Sequence, residues 1–90
     1  MFELHTTSQY RKDRKRAKKR WLDMDLLDDV IQQLIEGKTL DSKFKDHALI
    51  SNHEGFRECH IQNDWLLIYA LDNDRLVLVL TQTGSHSDLF

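Results

Sequence analysis

Three histidines and one aspartate stand out as groups able to move protons. His47 lies in KDHAL, His60 in FRECHIQNDW and His86 in GSHSDLF, and Asp64 follows His60 by four residues. An imidazole titrates near neutrality, so it can accept a proton in one step and return one in another. Metal-free cleavage of RNA requires that pair of roles. A base takes the proton of the 2′-hydroxyl, an acid protonates the leaving 5′-oxygen, and a cation stabilises the phosphorane. Each proton-transfer group typically contributes about 10²–10⁴-fold.

The relation of His60 to Asp64 depends on the turn between them. A three-residue loop, Ile61-Gln62-Asn63, sets the two opposite each other, with Asn63 in the left-handed position. Period-two alternation then gathers Phe56, Glu58 and His60 on one face with Asp64, Leu66 and Ile68. A two-residue loop, Gln62-Asn63, sends His60 and Asp64 to opposite faces. The first register is preferred because it collects the titratable groups, but both stay open. Zinc is a rival reading of three histidines and an acid, yet the spacing of 47, 60 and 86 matches no compact zinc signature. Cys59 alternates away from His60, and no GxSxG or glycine-rich phosphate loop occurs, so neither nucleophilic nor P-loop chemistry is expected. His5 and His53 read as surface residues.

Positioning these groups calls for a sheet backed by helices. FELHT, residues 2–6, reads as a short strand. Thr7 or Ser8 caps a helix running from 8 to about 21, with Tyr10, Asp13, Ala17 and Trp21 on its single core-facing stripe. Asp23 caps a second helix over 24–36, whose apolar face is Met24, Leu27, Val30, Ile31, Leu34 and Ile35, and Gly37 stops it. After Gly37 the period becomes two. Strands are predicted over 47–50, 56–61, 65–71 and 76–81, with turn chemistry at Asp72-Asn73-Asp74. The fold class is therefore α+β: a short N-terminal strand, a helical hairpin, then a mainly antiparallel twisted sheet covered on one face by the helices. The uncovered face is where a site belongs.

Composition sets the limits. Ninety residues suit one domain, 1–90, with a modest core. No apolar run reaches the roughly 20 residues of a membrane span, and the N-terminus does not read as a signal peptide. A single cysteine favours a reducing cytoplasmic setting. The net charge of −2 conceals an asymmetry: residues 11–20, RKDRKRAKKR, sum to +7 and the rest of the chain to −9. Arg11, Lys12, Lys15, Arg16, Lys18, Lys19 and Arg20 are expected to face water or the phosphates of an anionic partner.

KDHAL, GFRECHIQNDWLLIY and the terminal TGSHSDLF together resemble the YafQ branch of the RelE-like toxins of bacterial type II toxin–antitoxin systems. The resemblance covers nearly the whole chain, although before residue 40 it is one of pattern only. It implies a small α+β endoribonuclease that cuts messenger RNA in the ribosomal A site, without metal or other cofactor, leaving a 2′,3′-cyclic phosphate or 3′-phosphate end. The motif positions tied to catalysis fall on His47, His60, Asp64 and His86. Those tied to holding the messenger fall on Phe90 and Trp65, with Arg57 and Lys45 as candidates for phosphate contact. At Glu58 the chain departs from the pattern, where Asp is frequent. The resemblance further implies a cognate antitoxin in a 2:2 or larger complex, a monomeric free toxin, and docking on 16S ribosomal RNA, for which the basic helix is suited. Phe90 would anchor the tail by packing or stack on a base. Two alternatives are a non-catalytic RNA- or ribosome-binding module and an inactive relative that serves only as an antitoxin-binding protein.

Overall fold

The computed structural model describes residues 1–50 and 55–90; the surface reading of His53 lies outside them. In chain order the elements are β1 (Glu3–Thr6), α1 (Ser8–Lys19), α2 (Met24–Ile35), a 3-10 turn (Ser42–Phe44), β2 (His47–Ala48), β3 (Arg57–Gln62), β4 (Trp65–Asp72), β5 (Val77–Gly84) and α3 (His86–Leu89). The fold is α+β. One five-stranded sheet runs β1-β5-β4-β3-β2; β1 pairs with β5 in parallel and the other pairs are antiparallel.

The helices begin where side chains satisfy their free N–H groups. Thr7 Oγ1 accepts from the Tyr10 amide at 3.0 Å, and the Asp23 carboxylate accepts from the Asp25 amide at 3.1 Å. Gly37, at φ +76°, ends the second helical segment in the left-handed conformation that glycine takes without a Cβ penalty. Leu27, Val30, Ile31 and Leu34 of α2 pack with Tyr10 and Ala17 of α1 against Cys59, Leu67, Tyr69, Leu78 and Leu80 of the sheet. Each fully buried aliphatic side chain contributes about 1.5–3 kcal/mol, which is what holds the helical layer on this face.

Three expectations need correction. Trp21 is not on the core stripe of α1. The helix ends at Lys19, and Trp21 takes φ +63° to turn the chain toward α2, leaving its side chain 94% exposed. The second strand is only His47–Ala48, not 47–50. Most important for the site, the β3–β4 loop is neither of the two foreseen. His60 pairs with Leu66 and Gln62 with Trp65, the register slipping by one residue between His60 and Gln62. The turn is Asn63-Asp64, and Asp64, not Asn63, is left-handed at φ +43°. The bulge lets Ile61 stay in the core while the strand end twists.

The end of β5 is fixed to α1 by a buried polar network. Asp13, 2% exposed, accepts from the Gln9 carboxamide at 2.8 Å and from the Thr83 amide at 3.1 Å. Thr83 in turn donates its hydroxyl to the Leu66 carbonyl at 2.6 Å and accepts from the Trp65 indole N–H at 3.0 Å. A buried carboxylate with two such donors specifies one register for the strand that delivers the chain to Gly84 and α3.

Candidate functional site

The face of the sheet away from α1 and α2 carries two imidazole–carboxylate pairs. The first belongs to the strands. Alternation along β3 places Glu58 and His60 on the same face, and the β2–β3 register sets His47 opposite Glu58. Glu58, 5% exposed, holds its Oε1 at 3.4 Å from His60 Nε2 and 3.8 Å from His47 Nε2. His47 Nδ1 lies 2.7 Å from the Lys45 carbonyl. A carbonyl only accepts, so Nδ1 carries the proton and the neutral ring has its lone pair on Nε2.

The second pair joins the hairpin tip to the tail. Asp64 Oδ1 accepts from both the backbone N–H and the ring Nδ1 of His86, each at 2.9 Å. These two donors, the backbone N–H first, hold the Asp64 carboxyl below its ordinary range. With Nδ1 committed to the carboxylate, Nε2 of His86 is the nitrogen left to exchange a proton. The two pairs meet: the His60 and His86 rings lie 6.0 Å apart between centroids, at 60°. The Phe90 ring stands 6.4 Å from that of His86 and is 56% exposed.

Asp64 therefore does not orient His60, as the three-residue loop would have it. The slipped register moves it to the turn, where it holds His86. The carboxylate beside His60 is Glu58, whose place on that face follows from alternation alone. The sequence gathers Glu58 with His60 on one face by the same alternation, without assigning it the carboxylate role beside the ring.

Other expected site residues divide between the two faces. Trp65 is 2% exposed, and its indole N–H is donated to Thr83, so it packs in the helix-side core and not on the open face with the histidines. Arg57 pairs in register with Tyr69, on the face opposite His60, and its guanidinium donates to Asp46 at 3.1 Å; the Tyr69 hydroxyl donates to the same carboxylate. It is a structural ion pair, not a phosphate ligand of the ring cluster. Lys45 is exposed, at φ +50°, and lines a cavity shared with His60. Cys59 is fully buried on the core side, which pushes its thiol up to about 12 and leaves it inert. No group of three or more His, Cys, Asp or Glu is placed to hold a metal ion among the described residues.

The tail that carries His86 and Phe90 is docked by groups the sequence reading gave to the ribosome. Ser85 and Asp88 form a capping box: Asp88 Oδ2 accepts from the Ser85 amide at 2.9 Å, and Ser85 Oγ accepts from the Asp88 amide at 3.2 Å. Arg20 donates to both oxygens of Asp88, at 2.7 and 3.3 Å, and Arg16 Nη2 stands 3.7 Å from it. Arg16 also donates to the Thr83 carbonyl at 3.2 Å, and Arg11 donates to the carbonyl and hydroxyl of Thr6, both at 2.9 Å. Arg11 and Arg20 are exposed, as expected, and Arg16 is half-buried, but all three also make contacts within the fold. Lys12, Lys15, Lys18 and Lys19 are exposed and make no ion pair with the described residues.

Known proteins are similar to this chain in sequence and in fold. The family described as "Bacterial toxin of type II toxin-antitoxin system, YafQ" matches residues 2–90. The mRNA interferase toxin YafQ of Escherichia coli (strain K12) is 39% identical over 89 residues, spanning 98% of this chain and 95% of that protein. The E. coli DinJ–YafQ toxin–antitoxin complex contains a chain that superposes with TM-score 0.91 at 37% identity, covering 99% of this chain and 97% of that one. A metal-bound toxin from Helicobacter pylori superposes with TM-score 0.93 at 38% identity, with both chains covered completely.

Proposed function

The chain belongs to the YafQ family of type II toxins, and from that premise we propose that it is an endoribonuclease that cuts messenger RNA in the ribosomal A site and so stops translation. The observation that carries the reading is the His60–His86 pair, 6.0 Å apart on one open face, each ring beside its own carboxylate. Two orientable imidazoles at that separation can flank one phosphodiester. One ring takes the 2′-hydroxyl proton as the 2′-oxygen attacks phosphorus. The other delivers a proton to the 5′-oxygen as the P–O5′ bond breaks. The product is a 2′,3′-cyclic phosphate, or a 3′-phosphate after water opens the ring. No metal is needed for either transfer. His47, whose Nε2 also faces Glu58, extends the set to three imidazoles.

Phe90 is suited to stack on a base exposed beside the scissile phosphate, a contact worth about 1–3 kcal/mol per base in single-strand binders. Docking on 16S ribosomal RNA falls to Lys12, Lys15, Lys18 and Lys19, because Arg11, Arg16 and Arg20 are engaged within the fold. The assembled reading is a single toxin domain over 1–90, cytoplasmic, monomeric when free, and silenced by a cognate antitoxin in a 2:2 or larger complex. The same lysines offer that antitoxin an anchorage for acidic side chains.

The test is to incubate translating ribosomes with the wild type and with His60→Ala and His86→Ala, then map messenger ends. New ends that both variants lose, and that persist when the toxin alone is stripped with EDTA and desalted beforehand, are expected. Retained ribosome binding without new ends in the wild type would favour the non-catalytic ribosome-binding module. Loss of cleavage by toxin stripped in this way, restored by adding back a transition metal, would refute the metal-free mechanism.

A further inference from the structure

Beside His60 the hairpin tip and the 3-10 turn enclose a cavity of about 360 Å³, on the scale of a small-ligand pocket. Its chemistry is mixed in a specific way. The 3-10 turn contributes Lys43 and Lys45 with Phe44 between them, and the hairpin contributes Gln62 and Asn63. The Lys43 ammonium lies 5.2 Å from the centre of the Phe44 ring, so a flat apolar wall and a cation share one side of the cavity. Gln62 and Asn63 are exposed, and neither carboxamide is hydrogen-bonded to the described residues. Each carboxamide presents a donor and an acceptor side by side, the pattern that reads the edge of a nucleobase. Asp29 of α2, exposed, also lines the cavity; its Oδ2 accepts from Gln33 at 3.2 Å, and its carboxylate offers a further acceptor for an exocyclic amino group.

Lys45 owes its position to a left-handed backbone at φ +50°, which also aims its carbonyl at His47 Nδ1. The segment that fixes one catalytic ring thus forms a wall of the cavity, and His60 lines its rim. A nucleotide seated there would adjoin the phosphate held between His60 and His86. We infer that the cavity is a subsite for one ribonucleotide flanking the scissile phosphate, its phosphate held by Lys43 and Lys45 and its base read by Gln62 and Asn63. This deepens the nuclease reading and rests on it for the identity of the strand, but not for the binding chemistry. The amide edges and the Asp29 acceptor make the site selective: a base with an exocyclic amino group fits, and uracil, which has none, fits worst.

Two measurements test it. In the first, the ¹⁵N-labelled full chain is titrated with the 3′-monophosphates of adenosine, guanosine, cytidine and uridine, and with inorganic phosphate. The side-chain amide signals of Gln62 and Asn63 are expected to move with at least one amino-bearing nucleotide, which binds at least tenfold tighter than inorganic phosphate and than the uridine nucleotide. Equal affinities for inorganic phosphate and all four nucleotides would overturn the subsite, as would shifts confined to residues outside the cavity. In the second, messenger ends made by wild type and by the Gln62→Ala/Asn63→Ala double variant are compared. The variant should cut with a relaxed base preference at one position flanking the break. An identical base profile would overturn the subsite and leave the nuclease standing. Selective nucleotide shifts from a wild type that makes no ends would overturn the nuclease and leave the subsite.

Discussion

Replacing Asp88 with alanine removes the group on which the docking of α3 converges. Helix α3 has four residues, too few to hold itself together in water, so its place depends on contacts at its ends. The carboxylate accepts from the Ser85 amide and from both terminal nitrogens of Arg20, with Arg16 within 3.7 Å. Loss of a capping side chain typically costs about 1 kcal/mol, a factor of about 5 in the ratio of docked to undocked tail. The arginine contacts add to this, weakened by solvent because both guanidinium groups are partly exposed. Docking sets the position of His86 and Phe90 but lies outside the main hydrophobic core. Cleavage of messenger on ribosomes should therefore fall about 5–30-fold, while the melting temperature moves by only a few degrees.

The acid side of the same argument has a definite sign. Arg20 first, then the Ser85 amide, hold the Asp88 carboxyl well below its usual 3.8. A depressed folded-state value means that the stabilisation is complete above the unfolded value and is lost as pH falls toward the folded one. Docking should be whole at neutral pH and weaken only below about pH 4, and Asp88→Ala should remove the Asp88 share of that acid dependence, leaving the share of Asp64, whose carboxyl His86 also holds low. The assays are single-turnover cleavage, thermal melting, and the His86 ring proton shifts, which report docking directly. A full cleavage rate in Asp88→Ala, or the wild-type His86 shifts, would refute the reasoning. So would a collapse in melting temperature, because it would place Asp88 in the core ledger.

Gly84→Ala should resemble Asp88→Ala in cleavage, because a Cβ there would lie 2.8 Å from Arg16 Nη2 and 2.9 Å from Asp88 Cβ and Oδ2; single-turnover rates at wild-type level would show that the close approach is not needed. Trp65→Phe should lower stability by about 1–3 kcal/mol through the lost indole hydrogen bond to Thr83 and the smaller ring. Thermal melting checks it, and an unchanged midpoint with weakened messenger binding would return Trp65 to the substrate. Lys15→Gln/Lys19→Gln should reduce the slope of log K against log salt for ribosome binding by about 1.4–1.8, the loss of two phosphate contacts. An unaltered slope in co-sedimentation would remove those lysines from the interface.

The fold was legible wherever one local rule decided it. Asp23 and Gly37 bracket α2 as caps do, and the apolar runs at 65–71 and 76–81 became the two central strands, extended to Asp72 and Gly84. Trp21 kept the spacing of Tyr10 and Ala17, yet a single left-handed residue ended the helix and took the ring to solvent. The hairpin register escaped both candidate loops because burying Ile61 and Trp65 together demands a bulge, and the local turn residues do not record that demand. At the site, the Glu58–His60 relation follows from period two, whereas Asp64–His86 and Arg20–Asp88 join residues far apart in the chain. Local pattern carries no information on which distant carboxylate an imidazole or guanidinium will meet.

That last failure exposes how the basic segment is divided. Read as charge, residues 11–20 form one cationic surface of +7. Read as chemistry, its arginines and lysines do different work. Arg11 bonds Thr6, Arg14 bonds Tyr10 and Asp28, Arg16 bonds Asp13 and Thr83, and Arg20 bonds Asp88. The four lysines between them face outward with no ion pair to the described residues. A guanidinium is planar, weakly hydrated and able to donate in two directions at once, which suits a carboxylate against a strand end. An ammonium is strongly hydrated and mobile, which suits phosphates met from solution. Only about half of the segment's positive charge is therefore available to a partner. Of the other half, Arg16 and Arg20 hold the tail, so the segment that would find the ribosome also keeps His86 beside His60.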